Sequence, residues 1–94
     1  MAEFCIDALD RKLTEAGIPH QVASYMGGKI LWYPNRQHTI CDGICHRGSY
    51  GHEANLIEIM GLLTPEEEIH DDVVGFLTPH EVFERIKKDY ESRK

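Results

Sequence analysis

Residues 53–63 read EANLIEIMGLL, and the way they fold decides the architecture around them. Leu56, Ile59, Met60 and Leu63 recur at helical spacing, so a helix is predicted from about Glu53 to Met60, with Gly61 near its end. Immediately before it, RGSYG (47–51) reads as a loop.

Upstream lie two short runs rich in β-formers, 19–25 and 29–33, joined at Met26–Gly28, where paired glycines suit a tight hairpin. PNRQ (34–37) is a second turn: Pro34 closes a strand and Asn35 fits the bend. A third strand is expected over His38 to Cys45, completing an antiparallel meander. Further back, Cys5, Leu9, Leu13 and Ala16 share one face of a helix over 3–16, which Gly17 and Pro19 end. Cys5 is therefore placed toward the core.

Downstream, LTPEE (63–67) and LTPHE (77–81) echo each other. Each offers a Thr N-cap, a Pro at the first helical position and a Glu three residues after the Thr, which is a capping box. The second should open a helix over about 79–92 with Val82, Phe83, Ile86 and Tyr90 inward. The first should open a single turn, because EEEIHDD has little to bury. The echo reads as shared capping chemistry and not as a repeat, since the flanking residues differ. The expected fold is one α+β domain, 1–94, in the order α-β-β-β-α-α: a three-stranded antiparallel sheet, an N-terminal helix and two C-terminal helices. The last residues, ESRK, are expected to fray.

Ten Lys and Arg stand against 16 Asp and Glu, a formal charge of -6. Such a surface repels phosphate and attracts a basic protein, so direct nucleic-acid binding is not expected. No apolar run approaches the roughly 18 residues of a membrane span. The start, MAEFCIDALDRKL, lacks the pattern of a signal peptide, and an odd count of three cysteines fits reduced thiols, so a cytoplasmic protein is expected.

CDGICHRGSYGH (41–52) concentrates Cys and His. Cys41, Cys45, His46 and His52 are candidate ligands of a structural zinc, with His38 and Cys5 as further donors. On a regular strand Cys41 and Cys45 share a face but sit roughly 13 Å apart, at about 3.3 Å per residue. A zinc shared by Cys41 and Cys45, bonded to sulfur at about 2.3 Å, then needs the chain to turn at Asp42-Gly43; otherwise Cys45, His46 and His52 would close around a metal through the Gly48/Gly51 loop. The same separation excludes a disulfide, whose Cα atoms lie within about 7 Å. The alternative is a strand with small buried thiols and two histidines on a wet loop. A nucleophilic Cys45 served by His52 would need the loop to fold back; Cys45 and His46, as neighbours on a strand, point apart. GSYG (48–51) lacks the spacing of a phosphate loop and reads as a glycine-bounded turn, with Ser49 capping and Tyr50 packed on the sheet.

The run 66–72 carries Glu66, Glu67, Glu68, Asp71 and Asp72. It is either a solvated loop or a patch that meets Lys and Arg on a partner. Trp32 and Tyr33 are adjacent, so one ring faces the core and the other is either an exposed interface anchor or packed against the first helix.

Asp42, Cys45, His46, Ser49, Tyr50 and Gly51, then Leu56, Glu58, Ile59, Met60 and Gly61, then Leu77, Thr78, Glu81, Val82 and Phe83 together resemble a pattern in small phage- and prophage-encoded proteins of Gram-positive bacteria. The likeness spans about the last 55 residues. It implies a short acidic accessory protein of a mobile element. Such proteins often inhibit host defences; small type II-A anti-CRISPR inhibitors are a similar class in size and charge, bind the basic effector nuclease stoichiometrically, and in some cases contain metal. The expected function is thus a phage anti-defence inhibitor, monomeric or a small homo-oligomer, that binds without turnover and has no catalytic residues. The alternatives are a small zinc- or cysteine-dependent enzyme using Cys45 and His52, and a metal-free phage adaptor or regulatory protein.

Overall fold

The computed structural model describes residues 3–94. Helix α1 spans Cys5–Glu15, strands β1, β2 and β3 span Gln21–Tyr25, Gly28–Tyr33 and Cys41–Cys45, and β4 spans Ile57–Met60. Helix α2 (Pro65–His70), strand β5 (Val73–Leu77) and helix α3 (Pro79–Ser92) complete the chain. The α+β class holds, but the three-stranded sheet does not: five strands form one antiparallel sheet in the order β1-β2-β3-β4-β5.

The predicted helix over 53–60 is where the expectation fails. After Tyr50 the chain makes only one 3-10 turn, His52–Ala54, and Asn55 then turns left-handed at φ 58. That conformation ends any right-handed helix, and Asn is among the few residues that adopt it readily. From Ile57 the chain runs as a strand, with Ile57 and Ile59 buried and Glu58 and Met60 toward the other face. Asn55 is also held from outside. Its Oδ1 accepts the Cys5 N–H at 2.8 Å, and its Nδ2 donates to the Glu3 carbonyl at 2.8 Å, so it caps the start of α1 from across the fold.

The second missed strand is β5. It pairs with β4 through a register shift between Ile57 and Ile59, and Phe76 within it takes φ 60. The third strand starts at Cys41, not His38. Asn35 folds the preceding turn instead: its side chain accepts the His38 N–H at 2.8 Å and its carbonyl accepts the Thr39 hydroxyl at 2.9 Å.

Both capping boxes form. Thr64 and Thr78 each accept the N–H of the Glu three residues on, and Glu67 and Glu81 reach back to the cap N–H. The first box opens six residues of helix and not a single turn, and none of them is buried. Helix α1 ends as the Gly17-Ile18 sequence dictates: Gly17 takes φ 70, and the N–H groups of Gly17 and Ile18 return to the carbonyls of Thr14 and Leu13.

Helices α1 and α3 pack against each other and on one face of the sheet. That face carries Leu31 and Tyr33 of β2, Cys41, Gly43 and Cys45 of β3, Ile57 and Ile59 of β4 and Leu77 of β5, closed by Ile6, Leu9 and Leu13 from α1 and Val82 and Ile86 from α3. A side-chain carbon on Gly43 would stand 3.2 Å from the Ile57 side chain and 3.8 Å from that of Leu9, so these two side chains pack close over the β3 backbone there. Polar ties cross the layers: Lys29 to Asp7 at 2.6 Å, and the Tyr33 hydroxyl to Asp89 at 2.7 Å.

The opposite face follows from the register. Ala23, Ile30, Ile44 and Glu58 lie side by side across β1–β4. Gln21, Trp32, Asp42, Met60 and Val73 form the adjacent row across β1–β5. None of these side chains is buried. Tyr33 thus takes the core side and Trp32 the other, as strand alternation requires.

Candidate partner-binding surface

The Cys/His stretch divides between the two sides of the sheet. Asp42-Gly43 does not turn; both residues lie within β3, paired to β2 and β4. Cys41 and Cys45 therefore point together into the core, two side-chain repeats apart. The Cys5 thiol meets that of Cys45, and burial, reinforced by this neighbour, pushes the Cys5 thiol up. Burial, with the charge of Asp42 adding, pushes Cys41 up to about 12. A thiol held protonated is a poor nucleophile.

The histidines sit elsewhere. His46 lies past the strand's end, edge-on to Tyr25 at 5.2 Å between centroids, and its Nδ1 accepts the Gly48 N–H at 2.9 Å. His52 starts the 3-10 turn. His38 is exposed in the turn before β3. Ser49 closes the intervening loop as a cap, accepting the His46 N–H and donating to the His46 carbonyl. Tyr50 does not pack down: the residue is 58% exposed. Among the described residues, no three His, Cys, Asp or Glu side chains gather as a metal ion would need.

Two open grooves can be compared with the cysteine chemistry. One, of about 450 Å³, runs between Leu62–Thr64 and the Arg85, Lys88 and Asp89 side of α3. The other, of about 380 Å³, follows the loop from Arg47 to Ala54 beneath Phe76. The second includes His52, but Cys45 reaches neither wall.

The acidic run folds into α2 and the link to β5. Glu67 is drawn inward. Its carboxylate takes a two-pronged ion pair from Arg85 at 2.7 and 2.8 Å as well as the Thr64 N–H. The Arg85 guanidinium, with the Thr64 amide, holds Glu67 at about 2, well below the ordinary carboxylate range. Arg85 also donates to the Leu62 carbonyl at 3.1 Å, which anchors the segment leading into α2. Glu66, Glu68, Asp71 and Asp72 stay exposed, and none enters a salt bridge among the described residues. Ile69, between them, is 80% exposed.

On the far face of the sheet Asp42 stands between Trp32 and Met60 in its row, with Ile44 and Glu58 beside it. Partial burial, and then the charge of Glu58, raises the Asp42 carboxyl. Glu58 accepts the Tyr50 N–H at 2.9 Å. The Arg36 guanidinium lies 5.4 Å from the Trp32 ring centroid. Sequence reasoning expected one of Trp32 and Tyr33 to be free without choosing between them, and it passed over Glu58 and Met60 as sheet-face residues because their placement depends on β4 being a strand. Among the described residues no helix is long and apolar enough to cross a membrane. No protein-family model, curated protein or solved structure matches the chain.

Proposed function

We propose that this protein acts by stoichiometric binding to a basic protein, through the acidic surface of α2 and its link to β5. The observation that carries the reading is the economy of α2. Six residues of helix bury no side chain, yet a capping box and the Glu67–Arg85 pair hold them in one conformation. The outcome is a rigid display of Glu66, Glu68, Asp71 and Asp72 around the apolar Ile69. Unpaired charges beside an exposed aliphatic side chain suit an interface with a polar rim and a small apolar centre.

Together with the resemblance to phage accessory proteins, this supports an anti-defence inhibitor of the anti-CRISPR kind, with a type II-A effector nuclease as the basic partner. The reading does not depend on zinc. Stoichiometric zinc in the purified protein, with loss of the fold on chelation, would show a structural metal, and ligation by Cys41, Cys45, His46 or His52 would require them to be placed differently from this arrangement.

Mixing the protein with a purified type II-A effector nuclease should give a one-to-one complex that weakens as salt rises. Reversing Glu66, Glu68, Asp71 and Asp72 to Lys should weaken it by about a hundredfold or more, as for clustered interfacial charges. A nuclease that ignores the protein, or a complex indifferent to both salt and charge reversal, overturns the reading.

A further inference from the structure

The face of the sheet turned away from α1 and α3 carries a second set of groups, in which Glu58 accepts only the Tyr50 N–H and Asp42 accepts nothing among the described residues. Ile30, Ile44, Trp32 and Met60 present apolar surface there, and Asp42 and Glu58 stand among them. Neither carboxylate forms a salt bridge among the described residues, and the Asp42 side chain accepts no hydrogen bond from them. Carboxylates set in apolar surroundings gain most from a cation brought in from outside.

We propose that this open face receives an arginine side chain of the partner, its guanidinium on Asp42 and Glu58 and its stem along Trp32, Met60 and Ile44. The inference rests on the reading of a basic protein partner and adds a second contact to it. The chemistry selects arginine. A planar, forked donor suits carboxylates on adjacent strands, and the Trp32 ring already carries the guanidinium of Arg36 at 5.4 Å. The same charges disfavour a second copy of this chain as occupant. A two-fold pairing of the face would bring Asp42 and Glu58 against their own counterparts.

The test uses the full chain, labelled with nitrogen-15, titrated with an oligoarginine peptide and with an oligocitrulline peptide of the same length and shape but no charge. Oligoarginine should shift the amides of Ile30, Trp32, Asp42, Ile44 and Glu58 and the Trp32 indole; oligocitrulline should not. The D42N/E58Q variant should weaken the oligoarginine effect on these amides by about tenfold or more. Its thermal transition, at or above that of the parent, shows that the fold is kept. Reversal of the α2 charges should leave the sheet-face shifts in place. Shifts confined to α2, or undiminished in D42N/E58Q, overturn the proposal, as do the same shifts appearing with protein concentration alone, which would give the face to a second copy. A nuclease complex that fails on α2 charge reversal but survives D42N/E58Q keeps the α2 reading and removes this one. Loss of nuclease binding altogether, with the oligoarginine shifts intact, does the reverse.

Discussion

Asn55 settles more of the structure than any other single side chain. It takes the left-handed conformation that stops a helix before β4, and its amide spans from the Cys5 N–H to the Glu3 carbonyl. The two roles can be separated. Asn55→Gly retains the backbone conformation and loses the cap, whereas Asn55→Ala loses the cap and strains the turn. Urea denaturation should therefore place Asn55→Ala lowest, about 1–2 kcal/mol below the parent, with Asn55→Gly between them. Equal loss in the two variants would mean that the backbone conformation contributes nothing. The preference of Asn for left-handed turns was legible in the sequence. Its capping partners were not, because they lie about fifty residues away along the chain and only the finished fold brings them near.

At the level of elements, local chemistry was readable and alternation was not. Each LTP box closes within four residues, so its cap, proline and glutamate could be recognised from the sequence alone. The meander β1–β3 was marked by turn residues at both bends. Strand β4 was masked because Leu56, Ile59, Met60 and Leu63 match a helical stripe, while the pattern that won was the alternation of Ile57 and Ile59 with Glu58 and Met60. Strand β5 was masked by Gly75 and by the irregular register around Phe76. The two boxes should respond differently to the same change. Thr78→Ala should cost about 1 kcal/mol in global stability, since α3 buries Val82 and Ile86. Thr64→Ala should leave the global transition nearly unchanged and abolish hydrogen-exchange protection over 65–71. Comparable losses in urea would assign α2 to the core unit. Acid should act on α2 as well. The Glu67 carboxyl is depressed in the fold, so its pairing with Arg85 stabilises fully above the ordinary carboxylate range and is lost as pH falls toward about 2. Hydrogen-exchange protection in α2, taken relative to the intrinsic exchange rate at each pH, should fall between about pH 5 and pH 2, and Glu67→Gln should flatten that dependence. An unchanged profile in the variant would show that another group governs it.

For the whole molecule, the α+β class and the helix–sheet core were open to sequence reasoning, whereas the count of strands and the existence of a broad uncovered face were not. That face emerges only when five strands stand side by side. The sheet's other side depends on both ends of the chain at once. Leu9 and Leu13 come from α1, Val82 and Ile86 come from α3, and Lys12 lies 5.9 Å from the Phe83 ring. A chain ending before Thr78 should therefore lose its cooperative urea transition and its near-ultraviolet circular dichroism while retaining some sheet signal. A sharp transition in the shortened chain would show that α1 and the sheet suffice. The strand order has a consequence for how the protein is made. Because each hydrogen-bonded strand neighbour is also the next strand in the chain, a nascent polypeptide can add them in sequence as they leave the ribosome. The seal comes from α3, which follows every strand, so until α3 has been made the apolar side of the growing sheet stays open to chaperones.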